Sequence, residues 1–183
     1  MKTGQMTFLD ELRASVATAS AEETRRLAAR LATALPPDTT LALHGDLGVG
    51  KTTFVQGLAQ GLGLSAQVTS PTFNIVHLYR NAPAPRRPGK GRAEHHLPRN
   101  KRAAPGRPDA RGLTLVHLDA YRLENAHQIA ALMLDDFLVS PYCLAVEWPE
   151  RIADWLPAET WHLTLAIESP GRHRLTLQSF AAK

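Results

Sequence analysis

Cysteine occurs once in the 183 residues, at Cys143, so the chain has no intrachain disulfide available to it. That thiol lies in the apolar run Cys143-Leu144-Ala145-Val146, where it reads as a small buried hydrophobe. Long apolar stretches are also missing: nothing approaches the roughly 18 consecutive apolar residues of a membrane span. Met1 to Met6 leads into a charged segment with no apolar core of a secretory leader. These absences predict a protein of the reducing cytoplasm with no membrane partner. Eight histidines are present, but none stands at ligand spacing from cysteine or carboxylate, so no zinc site is expected. What remains, 44% hydrophobic and 21% charged residues, suits one globular α/β domain.

The net charge of +4 is unevenly placed. Residues 81–111 hold nine Lys or Arg against two Asp or Glu, and the rest of the chain holds 12 against 15. The body is therefore mildly acidic and the basicity belongs to one segment. That segment also carries six of the 13 prolines, three glycines and one large aliphatic residue, Leu97. It has too little apolar surface to offset its ordering entropy, which predicts a disordered insertion within a single domain spanning 1–183.

Around it, helix and strand patterns alternate. Ser20 followed by Glu23 predicts a capping box, with Glu23 reaching back to Ser20. Leu27, Leu31 and Leu35 continue the helix until Pro36-Pro37 stops it. Thr40 to His44 reads as a strand and Thr52 to Leu62 as a helix. Strands are expected over 73–79 and 113–118, a helix over 126–138 and a buried strand over 143–146. Residues 161–167 and 173–177 alternate about Ser169-Pro170-Gly171, a hairpin signal. This order predicts a mainly parallel sheet flanked by helices, with an antiparallel C-terminal edge.

Between the first strand and the helix at Thr52 stands Gly45-Asp46-Leu47-Gly48-Val49-Gly50-Lys51-Thr52, which meets G-x-x-x-x-G-K-[ST] at every fixed position. Its chemistry explains its residues. A triphosphate needs several donors converging on it, and glycines let the backbone curl until successive N–H groups point inward. The helix N-terminus adds positive potential, the Lys51 ammonium reaches the β- and γ-phosphates, and the Thr52 hydroxyl ligates Mg²⁺. The chain thus reads as a P-loop NTPase that binds ATP and Mg²⁺. Two further apolar strands end in carboxylates, Leu113 to Asp119 and Cys143 to Glu147. In a doubly wound sheet the C-terminal ends of parallel strands share the edge that carries the P-loop, so both carboxylates are candidates to face the phosphates.

Four blocks occur in order: Gly45 to Thr53, Thr69-Ser70-Pro71-Thr72-Phe73, His117-Leu118-Asp119-Ala120-Tyr121-Arg122-Leu123 and Glu147-Trp148-Pro149-Glu150. Together they resemble the TsaE (YjeE) family, bacterial P-loop ATPases needed to make threonylcarbamoyladenosine in tRNA. The resemblance spans roughly residues 15–180, with 81–111 standing where the family has a short connection. It implies that Gly45, Asp46, Leu47, Gly48, Val49, Gly50, Lys51, Thr52 and Thr53 hold phosphate, and that Thr52 and Glu147 coordinate Mg²⁺. Asp119 is implied in hydrolysis or metal binding, Thr72 as a switch-type threonine near the γ-phosphate, and Trp148 and Arg172 beside the nucleotide. Plainer roles exist for the last three: Thr72 in a turn, Trp148 packing beside Pro149, Arg172 on an exposed hairpin. His117 is expected to support its strand end rather than act as a base. The implied partners are TsaD and TsaB, which transfer the threonylcarbamoyl group next to the anticodon, with tRNA reached indirectly through that complex. Nothing in the chain offers an acyl-transfer nucleophile.

Two other readings stand beside this one. A small-molecule P-loop kinase needs an acceptor pocket and an arginine-bearing lid, and 81–111 has arginines but few apolar anchors. A nucleotide-regulated scaffold would use the nine cations of 81–111 for weak, salt-sensitive and nonspecific RNA contact, without aromatic residues to stack on bases. A GTPase is disfavoured because Asn100-Lys101-Arg102-Ala103 lacks the carboxylate of the guanine-reading motif, and no ABC signature helix is present. Replacing residues 83–109 with a short Gly/Ser connection is expected to leave the melting temperature and ATP affinity nearly unchanged, since loop-closure entropy varies slowly with length. The same change is expected to weaken retention on heparin or RNA. A shortened protein that no longer melts cooperatively would show the insertion to be structural.

Overall fold

The computed structural model describes residues 7–80 and 113–178. The insertion expected at 81–111, and the RNA contact assigned to it, lie outside the described residues. Seven strands form one sheet: β1 (Val16–Thr18), β2 (Thr39–His44), β3 (Val76–Arg80), β4 (Thr114–Asp119), β5 (Tyr142–Glu147), β6 (Trp161–Ser169) and β7 (Arg172–Gln178). Their order across the sheet is β1-β7-β6-β2-β5-β4-β3. The inner four, β6, β2, β5 and β4, run parallel. The antiparallel C-terminal edge is present as β6–β7 with β1 added outside it. At the opposite edge β3 is also antiparallel, pairing with β4 from Val76↔Leu118 to Arg80↔Thr114.

Side-chain alternation sorts the central strands onto two faces. Leu41 and Leu43 of β2, Leu115 of β4, and Cys143 and Ala145 of β5 pack with Ala28, Leu31, Phe54 and Leu58. These last four belong to helices α2 (Ala21–Ala32) and α3 (Lys51–Gly61). Val116 and Leu118 of β4 and Leu144 and Val146 of β5 pack on the other face with Ile129 and Ile152. Helix α4 (Ala126–Ala131) supplies Ile129. Helices therefore cover both faces, as near-continuous apolar strands in a parallel core require. Cys143 is buried as expected, and burial pushes its thiol up to about 12. No helix among the described residues is long and apolar enough to cross a membrane.

Several boundaries differ from the sequence expectation for identifiable reasons. An N-terminal helix, α1 (Phe8–Ala14), and β1 were not foreseen, because seven and three residues are too few for a periodicity to stand out over the roughly 11–18 residues such a pattern needs. Phe73 and Asn74 lie in a turn closed by the Asn74 N–H to the Pro71 carbonyl, so β3 begins only at Val76. The helix expected over 126–138 ends at Ala131. Met133 adopts φ 47° there, and one short 3₁₀ turn follows at Leu134–Asp136. At the start of α2 the Ser20 hydroxyl accepts from the Glu23 N–H, but the Glu23 carboxylate accepts from Ala19 rather than Ser20.

Helices α2 and α3 meet closely because Gly57 and Gly61 lack side chains. A Cβ at Gly57 would strike the Arg25 carbonyl oxygen and lie 2.7 Å from the Ala28 Cβ. Both obstacles belong to or abut the α2 backbone, which cannot swing aside as a long side chain could. Gly57→Ala is therefore expected to destabilise the protein by about 1–3 kcal/mol through overpacking. Thermal melting should show a fall of about 2–4 °C for each kcal/mol at this size. An unchanged or raised melting temperature would contradict this close packing.

Candidate functional site

Strand β2 delivers the chain into the glycine loop, and α3 leaves it. Gly45 has φ 134°, and a Cβ there would collide with the Leu165 carbonyl of β6. Only glycine meets both demands, which keeps the loop close against the sheet edge. Gly50 caps α3 in the left-handed conformation, so Lys51 and Thr52 open the helix with unpaired N–H groups in its first turn. Val49 is buried and anchors the loop, while Asp46 and Gly48 are exposed and Leu47 stands out at 82% exposure.

Lys51 is buried although its side chain is charged. Its Nζ donates to the carbonyls of Gly45 (2.6 Å) and Asp46 (3.0 Å) and lies 4.1 Å from the centre of the Trp148 ring. Burial draws the ammonium below its ordinary range, while Glu147, Asp119, Glu150 and Asp46 oppose that shift. Trp148 reaches the lysine because it holds φ 58° directly after β5, turning the chain sharply at the strand end. Tyr121 packs on the same indole, with ring centroids 5.1 Å apart.

The strand-end carboxylates are direct neighbours, since Asp119 of β4 pairs with Glu147 of β5, and Glu147 pairs with Leu43 of β2. Alternation along β4 and β5 turns both toward the face that carries α3. The Thr52 hydroxyl donates to Glu147 Oε1 at 2.9 Å, and His117 Nε2 contacts the same oxygen at 2.9 Å. Asp119 is held by the Thr72 hydroxyl on Oδ2 (2.7 Å) and the Tyr121 N–H on Oδ1 (3.0 Å). Ser70 extends this chain by sharing a hydrogen bond with Thr72 at 2.7 Å. Tyr79 secures the segment from behind, accepting from the Thr69 N–H and donating to its carbonyl, both at 3.2 Å.

The structure thus gathers Lys51, Thr52, Thr72, Asp119, Glu147 and Trp148 through direct contacts at one edge of the sheet. Thr53 follows on the first turn of α3, half-buried. Arg172 is engaged at the turn between β6 and β7, where its Nε pairs with Glu168 at 3.3 Å. Sequence reasoning missed Tyr121, Tyr79 and the bond from His117 to Glu147. It also missed His44, which precedes the loop and contacts His162 of β6 at 2.9 Å. Tyr121 and His117 lie in one of the four sequence blocks, but their contacts with Trp148 and Glu147, like that of His44 with His162, join segments distant along the chain.

The donor set fits a nucleotide phosphate with magnesium. Loop N–H groups and one lysine suit an anion, and a hydroxyl with two carboxylates suits a hard cation. No cluster of three or more His, Cys, Asp or Glu side chains suited to a metal ion occurs among the described residues. A partial oxygen shell is what Mg²⁺ takes, since it retains water and substrate phosphates in its remaining positions.

Comparison with known proteins finds relatives over most of the chain. The family model described as "Threonylcarbamoyl adenosine biosynthesis protein TsaE" matches residues 18–89 and 106–175, well over half of the chain. The gap falls inside the basic insertion. A "tRNA threonylcarbamoyladenosine biosynthesis protein TsaE" of Bacillus subtilis is 32% identical over 84% of this chain and 77% of its own length. A relative of the same description from a Nostoc species is 31% identical over 98% and 93%. Among solved structures, Bacillus subtilis YdiB superposes with a TM-score of 0.64 at 26% identity, covering 91% of this chain and 85% of that one.

Proposed function

The chain belongs to the TsaE family of threonylcarbamoyl adenosine biosynthesis proteins, and from that premise we propose that it is the ATP-hydrolysing subunit of the machinery that makes threonylcarbamoyladenosine in tRNA. The single observation that supports this reading best is the meeting of the Lys51 loop, the Thr52–Glu147 bond and the Thr72–Asp119 bond at one sheet edge. Lys51 and the N–H groups of Gly45 to Thr53 would bind the phosphates of ATP, and Trp148 would line the nucleotide beside Lys51. Thr52 and Glu147 would hold magnesium, which when bound neutralises charge on the phosphates. Asp119 Oδ1 and Oδ2 each keep a lone pair beyond the bonds already made, and these would orient an attacking water. The Thr72 hydroxyl fixes that carboxylate and would carry the 70–75 turn toward the γ-phosphate end.

Fast phosphoryl transfer also needs positive charge on the oxygens that gain it in the transition state. Among the described residues, two candidates to supply it are Arg122, stacked 4.9 Å from the Phe73 ring, and Arg172, paired with Glu168. Both are already engaged. The isolated chain is therefore proposed to turn over slowly in the cytoplasm and to be accelerated by TsaB and TsaD, touching tRNA only through that complex.

Lys51→Ala is expected to weaken ATP binding at least about tenfold, the loss of one charge-assisted contact of about 1.5–3 kcal/mol. Isothermal titration on a variant shown to be folded checks this, and unchanged affinity would reject the phosphate site. Thr52→Ala and Glu147→Ala should impair Mg²⁺-dependent hydrolysis more than Mg²⁺-free nucleotide binding. Normal hydrolysis in Glu147→Ala with none in Asp119→Ala would reverse the roles given to the two carboxylates. Phosphate release should rise when TsaB and TsaD are added, and fast turnover by the chain alone would favour a self-contained ATPase or kinase.

A further inference from the structure

His117 has a role that its strand position does not explain. Every residue of β4 is buried, and an apolar side chain at 117 would continue the face begun by Leu115 without leaving a polar atom unpaired. The imidazole is instead fully buried, with Nε2 at 2.9 Å from Glu147 Oε1 and Nδ1 without any hydrogen-bond partner. A carboxylate only accepts, so Nε2 carries the proton of this bond. Ala145 faces His117 across the β4–β5 ladder, and its small side chain leaves the ring room to reach diagonally to Glu147. The ring lies too deep to meet a phosphate or an attacking water, which removes it from the reacting groups.

Glu147 Oε1 accepts a second hydrogen bond, from the Thr52 hydroxyl at 2.9 Å. One donor comes from β4 and the other from α3, so the carboxylate is held from two sides. Both of its side-chain hydrogen bonds among the described residues fall on Oε1. Thr52 spends its only proton there and keeps oxygen lone pairs for a metal ion, as Glu147 keeps Oε2. Resting on the magnesium site of the preceding section, we propose that His117 is a positioning residue whose Nε2–H holds Glu147 in place to ligate the magnesium shared with Thr52. Its contribution is orientation of a ligand, the work that outer-shell donors do in metal sites.

The test measures affinity for a fluorescent ATP analogue at graded Mg²⁺, so that the metal requirement is separated from phosphate binding. His117→Leu is expected to raise the half-saturating Mg²⁺ concentration about 10–100-fold, the range for lost outer-shell donors. Its Mg²⁺-free nucleotide affinity should match the unmodified protein. His117→Gln, whose amide nitrogen takes the place of Nε2, should restore the Mg²⁺ requirement, whereas His117→Asn should not, because its amide falls at the Nδ1 position. The Asn and Gln pair decides the matter if His117→Leu does not fold. Independently, the nitrogen spectrum of the Mg²⁺-free, nucleotide-free protein should show His117 as the Nε2–H tautomer, and an Nδ1–H tautomer would overturn the proposal. So would an unchanged Mg²⁺ requirement in folded His117→Leu, or equal requirements in the Gln and Asn variants, while Lys51→Ala still loses ATP. Normal ATP affinity in Lys51→Ala would instead reject the phosphate site itself.

Discussion

Leu43 of β2 lies opposite Glu147 of β5, and Glu147 lies opposite Asp119 of β4. From this lateral register comes the assembly of the site, because parallel strands present their C-terminal ends at one edge and set those ends level. The glycine loop begins two residues after Leu43, so its lysine and threonine open α3 beside both carboxylates. A slip of one residue in either ladder would turn a carboxylate to the opposite face, away from α3. Strong apolar pairing on both faces of β2, β4 and β5 guards against such a slip, and the core thereby specifies the position of polar groups it does not touch.

Charge balance follows from the same register. Lys51 is taken out of water with its ammonium bonded to two carbonyls of its own loop and faced by the Trp148 ring. Isolated, a buried ammonium would be costly, but the carboxylates of Glu147 and Asp119 are close enough to favour its charged form. Those carboxylates in turn are bound by Thr52 and His117 and by Thr72 and the Tyr121 N–H. Each charged group at the edge is thus oriented by neutral hydrogen-bond partners as well as by opposite charge. A network held by the protein's own groups lowers the reorganisation needed when charge develops there.

Support comes from the tight junction of α2 and α3. Gly57 and Gly61 admit the α2 backbone, bringing that helix close enough to brace α3 along the turns that follow Lys51 and Thr52. On the far side of the site, Tyr79 of β3 ties down Thr69, and through it the Ser70–Thr72 turn. The two antiparallel edges therefore serve different ends. β3 steadies the Thr72 segment, while β6 supplies the Leu165 carbonyl that forces glycine at position 45.

Much of the glycine loop was legible in the sequence because its constraints are local. Gly45 to Thr52 must curl and open a helix within eight residues, and an apolar run ending in Asp119 or Glu147 displays its own strand and terminus. The four blocks also sufficed to place the chain near its family. Other features stayed hidden because their causes are distant in sequence. The early end of α4 is set at Met133, the late start of β3 by the Pro71 turn, and β1 exists only because β7 offers it an edge. His117 looked like a strand-end residue until β5 brought Glu147 to its Nε2. Residue identity and spacing determined which groups could bind phosphate and metal, since backbone curvature and ligand chemistry are short-range. Which groups bind one another was decided by tertiary register alone, because hydrogen bonds such as Thr72 to Asp119 or His117 to Glu147 join segments 47 and 30 residues apart.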